Sequence, residues 1–252
     1  MNDLGSESSR PFLTARWSNL GLVTYAVDQA LLAADLPPGC ELDLRNGDAF
    51  VSFVVFDFLD TRVKGVRWPG HVNFPEINLR FYVRQDGQRG VCFVRELVPK
   101  RLIAWIARIL YNEPYVATAM RSEVTQDESH IETNHRFRFA GKRHEARLRG
   151  LRETIVPPDD SNEHFFKEHS WGFGRSRSGT LRRYRVDHPV WAIHPEATAE
   201  LDVDFAAVYG EKWGFLRDRT PDSVVFAVGS KVAVYPHADS LKALPRGVAN
   251  DV

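Results

Sequence analysis

Glu76, Asn78, Arg80 and Tyr82 stand two residues apart in the run Asn73-Phe74-Pro75-Glu76-Ile77-Asn78-Leu79-Arg80-Phe81-Tyr82-Val83. Strand side chains alternate faces, so these four share one face and Ile77, Leu79, Phe81 and Val83 the other. Such a row lines an enclosed lumen or faces water as a surface ladder; a half-exposed strand shows the same alternation. In a lumen, Glu76 is a candidate general acid or base whose pKa burial would raise, and Arg80 is suited to bidentate binding of a carboxylate. Asn78 and Tyr82 would complete the substrate-binding row. A second cluster, Asp187-His188-Pro189-Val190-Trp191, follows the basic residues Arg182, Arg183 and Arg185. An imidazole titrates near neutrality, which makes His188 a candidate for proton transfer, with a hydrogen-bonded structural role as the alternative. Trp191 is assigned to the ligand-facing wall.

Other chemistries find no motif. The nine histidines include no His-x-His and no H-E-x-x-H, and Cys40 and Cys92 are far apart, so no spacing nominates a metal site. There is no G-x-S-x-G elbow, and Gly172-Phe173-Gly174 lacks the third glycine of a dinucleotide fingerprint. Lys100, between Pro99 and Arg101, is the one lysine beside a cation in a motif-like setting, and it reads as a helix-start residue rather than a Schiff-base amine. No cofactor is called for.

The elements that must carry these residues are mostly strands. Runs rich in Val, Phe, Tyr and Thr, broken by Gly, Pro and Asp-Gly signals, predict strands at Trp17–Val27, Asp48–Phe58, Asn73–Arg84, Gly90–Leu97, Ile131–Ala140, Thr180–Val186, Ala197–Asp204, Val224–Val228 and Lys231–Tyr235. Asp86-Gly87 predicts a hairpin, and Ala140-Gly141 turns another. A short helix is expected near Asp28–Ala34. The clearest helix is Arg101–Asn112, where Leu102, Ile106, Ile109 and Leu110 recur at three- and four-residue steps. The expected fold class is β-dominated α+β, mainly antiparallel, as one domain over 11–239 with flexible tails at 1–10 and 240–252.

The chain has 252 residues, with 33 Lys+Arg against 33 Asp+Glu. Zero net charge argues against a surface built for nucleic acid or anionic membrane. The neutrality is a cancellation between segments. Arg136 to Arg152 carries seven basic residues against Glu145, and Arg175 to Arg185 adds more; Asp28 to Asp60 carries seven acidic residues against Arg45. Alternation puts Arg136, Arg138, Arg147 and Arg149 on one face of a hairpin. The polar N-terminus, the absence of a membrane-length apolar run and the two separated cysteines together predict a cytoplasmic protein with no membrane partner.

Several blocks also carry a resemblance. The run Trp17…Tyr25-Ala26-Val27, then Leu36-Pro37-Pro38-Gly39, Ala49-Phe50-Val51-Ser52, the Glu76–Val83 block, Gly90-Val91-Cys92-Phe93, Tyr111-Asn112-Glu113-Pro114-Tyr115 and Val186–Trp191 resemble the YqjF-like family of uncharacterised proteins. That family looks like a branch of the acetoacetate-decarboxylase-like superfamily. The resemblance implies a large, mostly antiparallel β-barrel or cone around a buried pocket, with few short helices. It also implies a pocket glutamate, which falls on Glu76, and a lyase-like fold whose Schiff-base lysine falls by chain order near Pro114–Tyr115. Tyr115 is no amine; a phenol can donate a hydrogen bond or a proton but cannot form an imine.

Three functions follow as expectations. The first is an acid/base enzyme on a small anionic, carboxylate or keto-acid-like ligand, with Glu76, Tyr115 and His188 catalytic and Arg80, Asn78, Tyr82 and Trp191 binding. The second is a non-catalytic small-molecule-binding barrel. The third is a polyanion-binding interaction protein that uses the two basic segments. Exposed sheet edges could pair subunits into a homo-oligomer.

Overall fold

Fifteen-residue runs of alternating aromatic and β-branched side chains leave little choice but strand, and the computed structural model gives 55% strand against 13% helix. The structure describes residues 10–110, 114–176, 178–235 and 238–239, the side chains of 106–110 and 238–239 excepted. Of the expected tails at 1–10 and 240–252, all but Arg10 lie outside the described residues.

In chain order the first elements are β1 (Leu13–Val27), α1 (Gln29–Ala33), β2 (Glu41–Leu42), β3 (Ala49–Val63), β4 (Phe74–Gln85), β5 (Gln88–Val98), α2 (Arg101–Leu110) and β6 (Tyr115–Ala117). Next come β7 (Met120–Gln126), β8 (His130–Phe139), β9 (Lys142–Leu151), α3 (Asn162–Lys167), β10 (Trp171–Arg175) and β11 (Leu181–Asp187). The chain continues through β12 (Ile193–His194), β13 (Thr198–Asp202), α4 (Phe205–Tyr209), a 3-10 segment (Glu211–Arg217), β14 (Ser223–Val234) and β15 (Ala238–Asp239).

The main sheet runs β12-β14-β1-β3-β4-β5-β10-β11-β15, and β11 pairs back to β14. The pairings β14-β1-β3-β4-β5-β10-β11-β14 thus return on themselves. All are antiparallel except β5 with β10. A second sheet, β13-β9-β8-β7, covers the outer face of this circuit. Between the two sheets lies one core, with Phe53, Leu79, Phe81, Phe137, Leu148, Phe205 and Trp213. On the opposite face of the main sheet lies another, with Leu22, Val54, Phe56, Tyr82, Val98, Phe166 and Val225. Both faces of β4 are therefore buried, so the water-facing ladder does not describe this strand.

Local signals place the connections. Asp28 accepts the Ala30 amide at 2.8 Å and caps α1. Asp86-Gly87 and Ala140-Gly141 both have positive φ at each residue (51° and 77°, 48° and 77°), as two-residue hairpins that follow sheet twist require. One expectation is corrected. The runs Val224–Val228 and Lys231–Tyr235 are expected as separate strands, whereas β14 joins them as one unbroken strand. Gly229, at φ 80°, pairs with Ser18 in an unshifted β1–β14 register, and the irregularity at Asn19, φ 56°, falls in the pairing of β1 with β3, between Ser18 and Gly21.

The four arginines of the β8–β9 hairpin do share a face, but opposite charges alternate with them. Arg136 meets Glu145 at 3.2 Å and Glu123 at 3.8 Å. Arg147 meets Glu132 at 3.3 Å, Glu145 at 3.1 Å and Glu200 at 3.1 Å. Three of these four carboxylates come from outside the segment 136–152, which is why its charge alone misrepresents the surface.

Candidate active site

A cavity of about 170 Å3 opens on the inner face of the circuit. Its walls come from β1 (Trp17, Leu20), β3 (Val54, Phe56, Phe58), β4 (Phe74), β5 (Phe93), β11 (Tyr184, Val186) and β14 (Val234), strands from around the ring, with Ile103 of α2 above. Its polar groups gather mainly on adjacent strands: Glu76, Asn78 and Arg80 on β4, Glu96 on β5 and Tyr115 on β6. Asn78 lies opposite Glu96, and Glu96 opposite Tyr115, so the sheet itself sets these side chains in a row.

Glu96 is the residue that alternation misses. Phe93 and Glu96 are three apart, and in a regular strand they would point to opposite faces. The register steps from Leu79↔Arg95 to Arg80↔Phe93, leaving Val94 as the extra residue of a β-bulge. Val94 and Arg95 both turn to the outer core, where the Arg95 guanidinium donates to the Val208 carbonyl, and Glu96 returns to the cavity beside Phe93. The adjacent charged residues Arg95 and Glu96, set between Val94 and Leu97 in an apolar strand end, were the available signal.

Glu76 and Glu96 are 3% and 2% exposed and share a hydrogen bond. The Tyr115 hydroxyl donates to Glu76 Oε2 at 3.0 Å and also bonds Glu96; Asn78 Nδ2 donates to Glu76 Oε1 at 3.3 Å. Burial pushes the Glu76 carboxyl up to about 7, against the partial offset of its bonds to Tyr115, Asn78 and Glu96. Burial first, then the charges of Glu76 and Glu96, holds the Tyr115 phenol well above its ordinary value. Two carboxyl groups can share a hydrogen bond only if one is protonated, and the raised pKa of Glu76 favours that form.

Arg80 donates from Nη2 to the Phe166 carbonyl at 3.0 Å, while its Nε and the Asn78 Oδ1 have no protein partner. Arg80 and Asn78 line the floor beside the carboxyl pair, and each keeps one buried polar atom without a protein partner. Among the described residues that line the cavity there is no lysine. Among the described residues, too, no group of three His, Cys, Asp or Glu side chains is arranged to hold a metal.

Of the residues singled out in the sequence, Glu76, Asn78, Arg80 and Tyr115 meet in this cavity. Tyr82 shares their face but sits behind it, its hydroxyl bonded to Ser52 and to the Phe166 carbonyl, its ring 5.8 Å from the Arg80 guanidinium. Trp191 backs the wall from outside: its ring centroid is 6.1 Å from that of Trp17, and its Nε1 donates to Ser230 Oγ at 2.8 Å. His188 is not brought to the group. It stacks on Trp191 at 4.1 Å, with Nδ1 3.0 Å from the Pro189 carbonyl and Nε2 3.3 Å from that of His169, beside a separate surface groove. It follows the end of β11 at Asp187 and lies away from the inner face of that strand, where Tyr184 and Val186 line the cavity.

Solved structures share the fold. An acetoacetate decarboxylase from Legionella pneumophila superposes with a TM-score of 0.58 at 14% identity, covering 94% of this chain and 89% of that one. An acetoacetate decarboxylase-like enzyme from Sphingomonas wittichii RW1 gives 0.60 at 15% identity (91% and 94%). The enduracididine biosynthesis enzyme MppR, complexed with pyruvate, gives 0.61 at 12% identity (93% and 91%). Among curated proteins, the uncharacterized protein YqjF of Bacillus subtilis (strain 168) is 34% identical over 112 residues, 44% of this chain and 46% of that protein, so the match spans about half of each. The model of the DUF2071 family of uncharacterized conserved proteins matches residues 14–231, most of the length and every strand of the circuit, and the chain belongs to that family.

Proposed function

We propose that the cavity is the site of an acid/base enzyme acting on a small oxo acid, without Schiff-base chemistry. The observation that carries this reading is the buried Glu76–Glu96 pair, bonded to Tyr115 and set beside Arg80, whose Nε is unpartnered, on the floor of an apolar cavity. Arg80 anchors the substrate carboxylate by a charge-assisted hydrogen bond. The ionised carboxylate of the pair removes a proton from the carbon next to the substrate carbonyl, and the C–H electron pair becomes the enol double bond. The carbonyl oxygen takes a proton from the neutral carboxyl or from Tyr115. A base with a pKa near the working pH suits this step. The pyruvate complex of a protein with this fold supports an oxo acid as ligand.

The test is exchange of the C3 hydrogens of 2-oxo acids with deuterium oxide, followed by proton NMR. Exchange is expected with the wild type. It should fall by about 100-fold or more in Glu76→Gln, since general acid–base catalysis contributes on that order. Arg80→Ala should raise the KM more than it lowers kcat. Borohydride should trap no adduct, and trapping on a lysine would refute the mechanism. Saturable binding with no exchange would instead leave a non-catalytic binding barrel.

A further inference from the structure

The proposed reaction uses only the floor of the cavity, and the rest of the cavity says what kind of molecule stands on it. Above the four polar side chains of β4 and β5 the walls are mostly aromatic and aliphatic, with Trp17, Phe56, Phe58 and Phe93 among them and Thr61 and His71 as polar exceptions. A three-carbon acid held at Arg80 would leave these walls facing water or void. An apolar cavity of about 150 Å3 stays dry and takes up a benzene-sized molecule, and this one holds about 170 Å3. The apolar character continues to the mouth. Trp68, in the connection between β3 and β4, and Leu102, at the start of α2, line the cavity and are still 49% and 37% exposed. Trp105, one turn beyond Leu102, is 61% exposed. Large exposed apolar side chains gathered at the opening of an apolar cavity mark a route for an apolar molecule.

From this we infer that the substrate is an acid with a ring-sized or medium-chain apolar body, which enters between Trp68 and Leu102 with its acid group toward Arg80. This rests on the reading of the cavity as the ligand site. The carboxylate and the carbonyl occupy the floor, and the apolar body fills the walls and displaces water from them.

The experiment is calorimetric titration of the full chain with acetate, butyrate, hexanoate, octanoate, phenylacetate, pyruvate and phenylpyruvate, at concentrations below micelle formation. Each buried methylene should tighten binding about three- to fourfold, so hexanoate should exceed acetate on the order of a hundredfold, at one molecule per chain. Phenylpyruvate should exceed pyruvate by a similar factor. Leu102→Glu should weaken octanoate far more than acetate. Equal affinity for pyruvate and phenylpyruvate would overturn the apolar-body inference and leave the oxo-acid site standing. Chain-length dependence that survives Arg80→Ala unchanged, with hexanol binding as well as hexanoate, would support the apolar body and defeat the anionic anchor. Saturable binding by none of the acids would overturn both.

Discussion

Glu76 titrates from a position that burial makes hostile to charge, and this has a consequence for stability. Its carboxyl ionises at about 4.5 when unperturbed and at about 7 in the fold. Between these values the folded chain holds a proton that the unfolded chain has released, so stability present below pH 4.5 is lost as the pH rises towards 7. Glu76→Gln removes the ionisation. The variant should gain on the wild type by about 1–3 kcal/mol between pH 4.5 and pH 8, read as the difference between their urea midpoints. A constant difference across that range would show that Glu76 ionises normally. At the same scale, Glu76 and Arg80 were legible because both sit in one alternating run, while Glu96 was hidden by a bulge that depends on the partner strand's register. His188 illustrates the opposite error. Its residue type suits proton transfer, but its ring is packed on Trp191, outside the cavity, 3.7 Å from Glu168.

The strands were legible where alternation was regular, and their irregularities carry much of the site's construction. In β14, Gly229 adopts φ 80°, and a Cβ built there would lie 2.2 Å from the Trp17 carbonyl oxygen. Trp17 is a wall of the cavity, so this glycine lets β14 press close behind the wall. Backbone cannot move aside as the end of a side chain can, and L-residues also pay for the left-handed conformation. Gly229→Ala should therefore destabilise the protein by about 2–4 kcal/mol in chemical denaturation. Gly21→Ala is the comparison: its Cβ would meet the side chain of Leu148 rather than backbone, at an ordinary backbone conformation, and the cost should be smaller. Equal effects would show that the close approach behind Trp17 does not constrain the fold.

The whole molecule depends on how the second sheet is joined to the circuit. Apolar packing does most of this, but a buried polar link sits within it. Asp57 of β3 accepts hydrogen bonds from Ser122 of β7 and from Asn19, and lies 3.7 Å from the Nε2 of His135 of β8, which is fully buried. Burial alone would raise the Asp57 pKa; the bonds and charge supplied by His135, Ser122 and Asn19 outweigh it, and the carboxyl lies below its ordinary value. The stability this link contributes is present above pH 3.8 and is lost as the pH falls below it. Asp57→Asn should cost about 1–3 kcal/mol at pH 7, and the gap to the wild type should shrink towards pH 3 in thermal melts. A gap independent of pH would mean the carboxylate charge plays no part. The hairpin arginines belong to the same sheet, but each of Arg136 and Arg147 is answered by carboxylates on neighbouring strands, so that face is a mixed-charge lattice. Among the described residues, no helix is long and apolar enough to cross a membrane.

Alternation, turn chemistry and the residue blocks shared with a known family were enough to determine a β-dominated fold, the hairpins at Asp86-Gly87 and Ala140-Gly141, and the Glu76–Arg80 row. These are local properties, set by the two-residue period of a strand and the positive φ of a tight turn. Tertiary structure alone decided that β4 is buried on both faces, that a bulge turns Glu96 back beside Glu76, that Tyr115 bonds Glu76 while His188 points elsewhere, and that carboxylates of neighbouring strands answer Arg136 and Arg147. Each of these depends on which strand lies alongside, and that is a relation between residues up to about two hundred positions apart, as β1 with β14, which no local period encodes.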